Sequence, residues 1–320
     1  MATVCRNRRP PFGTAILAAR AGFLGLLVLL GSGLAMAPVQ AQDTNGMLVY
    51  QSDFGLKDGA VSAMKGVALG VDPGLRLEDL THEIPAFNIW EGAYRLNTTV
   101  TYWPAGTVFV SVVDPGVGTD RKSVVLKTGS GHYIVTPDNC TLTLVAESLG
   151  VAGLREIDEE TNRLPGSEKS FTFHGRDVYS FTAARLASGQ ITFEEVGPEL
   201  DRGVVAIAYQ SPAVEGDLVA GTIPILDVQF GNVWTNIDRT TFEKLGATLG
   251  ESLMVKIYND GNLVYSQAIP YVTTFGDVPE GDPLIYFNSV DKLSFALNFD
   301  NFAATHKVSS GPAWRVEVGQ

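Results

Sequence analysis

The sequence has few of the residues that mark several common classes of protein. It contains only two cysteines among 320 residues, which excludes a disulfide-rich scaffold. Basic residues are scarce, at 23 Lys and Arg against 35 Asp and Glu, so the surface is expected to repel nucleic acid and anionic lipid. His82 and His132 have no metal-ligand spacing with each other or with a cysteine, and no metal site is expected. A content of 45% hydrophobic residues is typical of a globular chain long enough for two domains.

The first 41 residues contain no acidic side chain and differ from the rest. Four arginines precede an apolar run from Ala21 to Ala37, which ends in the small-residue site Val39 to Ala41. This layout predicts a secretory signal peptide over residues 1–41, cleaved after Ala41, and export to a periplasm or beyond. A retained membrane anchor is the alternative, which the glycines and the cleavage site disfavour. Cleavage leaves 19 basic and 35 acidic residues, a formal charge of −16, and Cys140 as the one remaining cysteine.

Beyond the signal peptide, predicted strands and helices alternate along the chain. Met47 to Phe54 has the pattern of a buried strand, Asp58 to Val71 has helical spacing, and Thr107 to Val113 is another apolar, β-branched run. Strands separated by helices favour a mainly parallel sheet that is covered on both faces. We therefore predict an α/β N-terminal domain over residues 42–213.

The pattern changes near Val214. Short β-rich segments follow one another to the end of the chain and are separated by turns rich in Gly, Asp, Asn and Pro. Such segments predict antiparallel pairing of neighbouring strands. We expect an all-β C-terminal domain over residues 214–320, folded as a small antiparallel barrel or sandwich.

The most informative motif is VVDPGVGTDRKS, from Val112 to Ser123. A Pro and two glycines follow an apolar strand, so the strand ends at Asp114 and the chain turns sharply. Asp114 and Arg121 can then face each other across the turn, and side chains at strand ends beside Gly-rich turns often form sites. The alternative is structural, because an Asp before Pro commonly caps a turn and an Arg after it is often solvated.

Seven motifs occur in one order along most of the chain. They are SDFG (52–55), MKG (64–66), DLTHEI (79–84), GTVFVSVVDPGVGTDR (106–121), TPDN (136–139), FHGRDV (173–178) and FGNVWTNI (230–237). This series resembles the S-adenosyl-L-methionine hydroxide adenosyltransferases, which are adenosine-forming hydrolases related to the adenosyl fluorinases and chlorinases. The resemblance implies an α/β domain followed by a β domain, and a homotrimer whose nucleoside substrate lies between neighbouring subunits. S-adenosyl-L-methionine (SAM) is then the substrate, and no cofactor is implied.

The resemblance also implies which reaction the chain performs. Hydrolases of this family carry an Asp-Arg-His set that holds a water, and the matching positions here are Asp114, Arg121 and His174. The halogenases place a tyrosine where the Asp stands, and the fluorinases carry an extra loop that is absent here between Arg121 and the TPDN motif. The expected activity is therefore hydrolysis of SAM to adenosine and L-methionine.

The chemistry of a sulfonium substrate is consistent with these three residue types. The departing thioether is neutral, so attack at C5′ needs no general acid and depends on an oriented, partly deprotonated water. Asp114 or His174 can accept the proton of that water, while Arg121 fixes the carboxylate and offsets negative charge. Either residue remains open as the proton acceptor.

Four further positions match residues at the ribose and amino-acid ends of the substrate. Asp53 matches the acid that receives the two ribose hydroxyls, with a turn cap as its structural alternative. Phe87 takes the place of a tryptophan that halogenases have near the ribose. Asp227 matches the acid beside the methionine ammonium, and Ser289 falls in a segment that faces the amino-acid end.

Three positions match residues around the adenine. Phe230 and Phe275 correspond to aromatic residues that flank the base, and Asn232 corresponds to the amide that reads its polar edge. Core packing is the alternative for each phenylalanine.

Two positions depart from the family pattern and are expected to affect substrate choice. Cys140 replaces the glycine that usually follows PDN, and Ala60 replaces a tyrosine or serine.

Export conflicts with a substrate that is made in the cytoplasm. A second hypothesis is therefore an exported protein that binds a sulfonium nucleoside or adenosine with little turnover.

Overall fold

The computed structural model describes residues 43–320 and, before them, the backbone of a two-residue strand, β1 (Arg6–Asn7), which pairs antiparallel with β8 (Val205–Ala206). The signal peptide predicted over residues 1–41 otherwise lies outside the described residues. Within the described part of the chain, no helix has the length and apolar character needed to cross a bilayer.

The N-terminal region contains a six-stranded sheet in the order β3-β2-β4-β6-β5-β7. Strands β3, β2, β4 and β6 run parallel to one another, whereas β5 is antiparallel to both of its neighbours. The sheet is mixed: five strands run in the same direction, as expected of the predicted mainly parallel sheet, and β5 runs against them. The turn that joins β5 to β6 is too short for a crossover, which makes this pair antiparallel. The strands are β2 (Met47–Ser52), β3 (Arg76–Thr81), β4 (Val108–Val112), β5 (Ser123–Thr128), β6 (Tyr133–Pro137) and β7 (Val151–Glu156).

Helices cover both faces of this sheet. The buried side chains of α1 recur at helical spacing, Val61, Met64 and Ala68, and pack with those of α4 against one face. Apolar residues of α2 and α3, such as Leu96 and Val145, pack against the other face. The predicted α/β layering is confirmed. The helices are α1 (Ala60–Val71), α2 (Ile89–Thr99), α3 (Thr143–Leu149) and α4 (Phe181–Ala187).

The C-terminal region contains two antiparallel sheets, ordered β14-β13-β17-β10-β9 and β11-β12-β16-β15. Residues from both sheets, among them Val219, Val255 and Phe295, share one apolar core. The predicted antiparallel pairing of short C-terminal strands is confirmed. The elements are β9 (Ala213–Glu215), β10 (Leu218–Ile223), β11 (Ile225–Leu226), β12 (Val233–Asp238), α5 (Arg239–Phe242), β13 (Ser252–Asn259), β14 (Asn262–Pro270), β15 (Pro283–Phe287), β16 (Lys292–Leu297), α6 (Phe302–His306) and β17 (Gly311–Gly319).

Cys140 keeps the backbone conformation that the expected glycine would have. Its φ is 86°, in the left-handed region that favours glycine. The side chain is buried in a cluster with Trp90 and Leu144.

Candidate active site

A tight turn after β4 brings Asp114 and Arg121 together. The Val117 amide donates to the Asp114 carbonyl at 3.3 Å, and the Thr119 amide donates to the Gly116 carbonyl at 3.1 Å. Gly118 adopts a φ of +78°, which reverses the chain. The turn therefore returns Arg121 to the sheet edge at which Asp114 leaves it.

The Arg121 guanidinium holds the Asp114 carboxylate with two hydrogen bonds. Nε donates to Oδ1 at 2.9 Å and Nη2 donates to Oδ2 at 2.6 Å. The side chains are only 10% and 5% exposed, so the alternative of a solvated arginine is wrong. A buried bidentate pair of this kind fixes the carboxylate in one orientation.

His174 extends this pair into a chain of three residues. Nη2 of Arg121 donates to Nδ1 of His174 at 2.9 Å. His174 immediately precedes a π-helical segment, Gly175–Ser180, which leads into α4. The structure thus brings together Asp114, Arg121 and His174, the three residues that the sequence singled out, while their role toward a water stays a prediction.

Two further residues contact the Asp114–Arg121 pair and were not recognised from the sequence. The Tyr179 hydroxyl donates to Oδ2 of Asp114 at 3.4 Å, and Nη1 of Arg121 donates to the Ser123 hydroxyl at 3.1 Å. Burial raises the pKa of Tyr179, so its phenol remains a neutral donor. Tyr179 lies five residues after His174, which is one turn along the π-helix. This spacing does not match the period of an α-helix, so the sequence did not indicate that the two side chains lie close together.

A second pair also lies beside His174. Nη2 of Arg163 is 3.3 Å from Nε2 of His174, and Arg163 forms an ion pair with Glu159. Burial lowers the pKa of His174, and the neighbouring Arg121 and Arg163 cations lower it further. Both effects favour the neutral form of the ring.

Asp53 lies at the same sheet edge as Asp114. Strands β2 and β4 are parallel neighbours with Ser52 opposite Val112, so both acids follow strand ends at the carboxyl edge of the sheet, where sites in α/β folds form. Burial raises the pKa of Asp53, and the Asp114 charge adds to this effect.

Phe87 is joined to Asp53 by its backbone. Its amide donates to Oδ2 of Asp53 at 2.9 Å, so the carboxylate also anchors this loop. Phe87 has a φ of 67° and its side chain is 71% exposed. An exposed aromatic ring in a strained backbone conformation has no packing explanation within the chain.

The other five predicted substrate residues line a separate cleft. It has a volume of about 970 Å³ and is bounded by residues between 227 and 301 of the C-terminal region. Phe230 is 63% exposed, so core packing is excluded for that ring, whereas Phe275 packs against Tyr286 with ring centroids 4.9 Å apart. The predicted residues in this lining are Asp227, Phe230, Asn232, Phe275 and Ser289.

Comparison with known sequences identifies the family. The model of the SAM hydroxide adenosyltransferase N-terminal domain matches residues 48–197, and the model of the corresponding C-terminal domain matches residues 221–315. The chain belongs to the SAM hydroxide adenosyltransferase family.

Relatives within this family carry two different names. A protein of Methanocaldococcus jannaschii named (R)-S-adenosyl-L-methionine hydrolase is 38% identical over 221 residues, which cover 67% of this chain and 74% of the relative. A hydrolase of the same name from Salinispora tropica is 35% identical over 84% of this chain and 97% of its own length. A fluorinase of Actinoplanes sp. is 32% identical over 83% of this chain and 96% of its own length.

A solved structure shares the fold of the family member described here. An uncharacterized conserved protein from Thermotoga maritima is 35% identical and superimposes with a TM-score of 0.78 over 86% of this chain and all of its own.

Among residues 43–320, no three His, Cys, Asp or Glu side chains are grouped so that they could hold a metal ion.

Proposed function

We propose that this SAM hydroxide adenosyltransferase family member hydrolyses SAM at C5′ to adenosine and L-methionine. The observation that carries the proposal is the buried chain from Asp114 through Arg121 to His174, which lies at the same sheet edge as Asp53. Hydrolase relatives at 35% and 38% identity support this reaction, as does the carboxylate at position 114.

The reaction requires an activated water and no acid at the leaving group. The water oxygen forms a bond to C5′ while the bond from C5′ to sulfur breaks. The electron pair of the broken bond stays on sulfur, which leaves as a neutral thioether. The water also loses one proton. Orienting that water opposite the sulfur supplies much of the acceleration, because the reacting atoms are held in line before the barrier is crossed.

The contacts of His174 favour Asp114 as the proton acceptor. A neutral imidazole has one lone pair, and in this site the lone pair of His174 already accepts from Arg121. A second ring proton would create an imidazolium between the Arg121 and Arg163 cations. Oδ2 of Asp114 accepts from both Arg121 and Tyr179, whereas Oδ1 accepts, within the described part of the chain, only from Arg121. Oδ1 therefore retains a lone pair that can accept from the water.

The proposal includes a shared site in a homotrimer, as the family resemblance implies. The ribose-binding candidates Asp53 and Phe87 belong to the N-terminal region, whereas the cleft that would receive the adenine is formed within residues 227–301. Exposed aromatic rings lie in both parts, Phe87 at 71% and Phe230 at 63%. A nucleoside held between the two parts would cover both rings.

An isotope experiment tests the reaction. The purified chain is incubated with SAM in oxygen-18 water, and the nucleoside product is analysed by mass spectrometry. We expect adenosine that carries one oxygen-18 atom at 5′. A parallel incubation with added chloride or fluoride tests whether the protein halogenates SAM instead. A 5′-halogenated nucleoside would overturn the assignment.

A second candidate function follows from the predicted signal peptide, which would place the protein away from cytoplasmic SAM. In that case the protein would be an exported binder of a sulfonium nucleoside or of adenosine. Saturable binding of SAM by calorimetry, together with no adenosine formation over the same concentration range, would support binding and contradict hydrolysis.

A further inference from the structure

His174 lies between two guanidinium groups. Nη2 of Arg121 is 2.9 Å from Nδ1, and Nη2 of Arg163 is 3.3 Å from Nε2. Arg163 is 9% exposed and is itself fixed, since Glu159 pairs with it and the Ser170 carbonyl accepts from Nη1 at 3.2 Å. Both nitrogens of the ring therefore face cations that are held in place.

This arrangement restricts the protonation of His174. A guanidinium has five N–H donors and no acceptor, and it stays charged at any working pH. A neutral imidazole can accept from Arg121 through its lone pair, whereas an imidazolium has no lone pair and would present N–H groups to both cations. Protonation of His174 would therefore repel the Arg121 group that holds Asp114.

We infer that Arg163, anchored by Glu159, is a positioning residue that keeps His174 neutral, so that the ring retains a lone pair with which Nδ1 can accept from Arg121. This inference rests on the proposed function, because it assigns Arg163 to the support of the Asp114–Arg121 pair. Arg163 reaches the Asp114–Arg121 pair through His174. Glu159 pairs with Arg163 and also accepts at 3.4 Å from the Ser123 hydroxyl, which binds Arg121.

The charges around the ring set the direction of the expected pH effect. Burial, Arg121 and Arg163 lower the pKa of His174, while Glu159 and Asp114 raise it, and the neutral Tyr179 ring packs edge-on with its centroid 6.4 Å away. Removing the Arg163 cation also leaves the Glu159 carboxylate beside the ring without its cationic partner. Both changes favour the imidazolium and shift the pKa of His174 upward.

Nitrogen-15 NMR of the histidine-labelled chain measures this titration directly, with the His174 signals assigned from a His174→Gln sample. We expect Arg163→Met to raise the His174 midpoint by about one pH unit or more. Arg163→Lys retains the positive charge and should keep the midpoint within a few tenths of a unit of the unsubstituted protein, as expected of a role that depends on charge.

Arg185→Met is the matched control. Arg185 binds the same loop as Arg163, through Nη1 bonds of 2.7 Å to the Thr161 carbonyl and to Oδ1 of Asn162, but it does not contact His174. The control should leave the midpoint unchanged. An unchanged midpoint in Arg163→Met, or an equal shift in Arg185→Met, would overturn the inference.

The pH dependence of turnover connects the titration to activity. In Arg163→Met, the acid limb of kcat should move to higher pH along with the His174 midpoint, with little change in KM. Absence of hydrolysis in the unsubstituted protein would remove the proposed function, whereas the NMR titration would still decide whether Arg163 keeps His174 neutral.

Discussion

Two parallel hydrogen bonds join Arg121 to Asp114, 2.9 Å from Nε to Oδ1 and 2.6 Å from Nη2 to Oδ2. Both side chains are almost fully buried. A buried ion pair gives little net stability, because desolvation of the two charges offsets their attraction. Its presence at a sheet edge beside Asp53 is better explained by the need to hold one carboxylate in a fixed orientation.

Replacement of this carboxylate should abolish catalysis without abolishing binding. Asp114→Ala removes the proposed proton acceptor, so we expect kcat to fall by about 10²–10⁴-fold while the Kd for SAM changes little. Stopped assays of adenosine formation and calorimetric titration measure the two quantities. Asp120→Asn alters an exposed acid of the same turn and should retain full activity; an unchanged kcat in Asp114→Ala would remove Asp114 from the mechanism.

A shared site predicts that two inactive variants restore each other. If Asp114 of one subunit works with Asp227 of a neighbour, coexpression of Asp114→Ala and Asp227→Ala chains creates some intact sites, about one quarter of the total for random trimers. Activity of the mixture relative to either variant alone measures this recovery. Coexpression of Asp114→Ala with His174→Gln should restore nothing, because both changes affect the same region. No recovery in the first pair would contradict a site between subunits.

The strained, exposed Phe87 should reduce stability and improve binding. Phe87→Gly relieves a φ of 67° and is expected to raise the free energy of unfolding by about 1 kcal/mol. Loss of the ring should weaken SAM binding about tenfold if it covers the ribose. Lys307→Gly relieves a similar φ of 55° at an exposed helix end and should give the same stabilisation with unchanged affinity. Equal affinities in the two variants would remove Phe87 from the site.

Gly231 should be essential for the shape of the C-terminal cleft. A Cβ at this position would lie 1.9 Å from Oδ1 of Asn301, and φ is +70°. Gly231→Ala must therefore displace Asn301, which caps α6 by accepting from the Ala304 amide at 2.7 Å. We expect a loss of about 2–4 kcal/mol in the free energy of unfolding.

Gly261→Ala separates backbone strain from this collision. Gly261 has a φ of +79° with no atom within 4 Å of its added Cβ, so only about 1 kcal/mol of destabilisation is expected. Denaturant unfolding of both variants measures the difference. Equal losses would show that Asn301 accommodates the methyl group without cost.

The raised pKa of Asp53 predicts weaker substrate binding in acid. A carboxyl whose pKa lies above its ordinary value takes up its proton at a higher pH than other aspartates, and the neutral form accepts the ribose hydroxyls less well. KM should therefore rise as the pH falls toward 4, and Asp53→Asn should show a high KM that no longer depends on pH in this range. If KM rises in acid by the same factor in Asp53→Asn as in the unsubstituted protein, a group other than Asp53 causes the pH dependence.

Local sequence patterns predicted most of the architecture that positions the site. The apolar runs at β2 and β4 and the helical spacing of α1 are strong because each element buries a continuous face. The short turn between the apolar runs of β5 and β6 also indicates that these strands are paired. The antiparallel pairing of β5 with β7 followed from no such pattern, since the composition of a buried strand does not show which strands are its neighbours.

The candidate site was only partly predictable for a related reason. Asp114 and Arg121 lie seven residues apart across a turn with clear sequence signals, and His174 was recognised through the family motif FHGRDV. Arg163 and Glu159 lie in a loop without periodicity, and their contact with His174 depends on how that loop packs. No short-range signal in the sequence could have located them.

The π-helical segment Gly175–Ser180 makes the position of His174 depend on chain length as well as on residue type. A π-helical turn holds more residues than an α-helical turn, so the segment contains a residue that a continuous α-helix would not accommodate. Deleting one residue there would turn His174 by about 100° around the axis of α4. The ring would then point away from Arg121 even though every side chain of the Asp-Arg-His chain was still present.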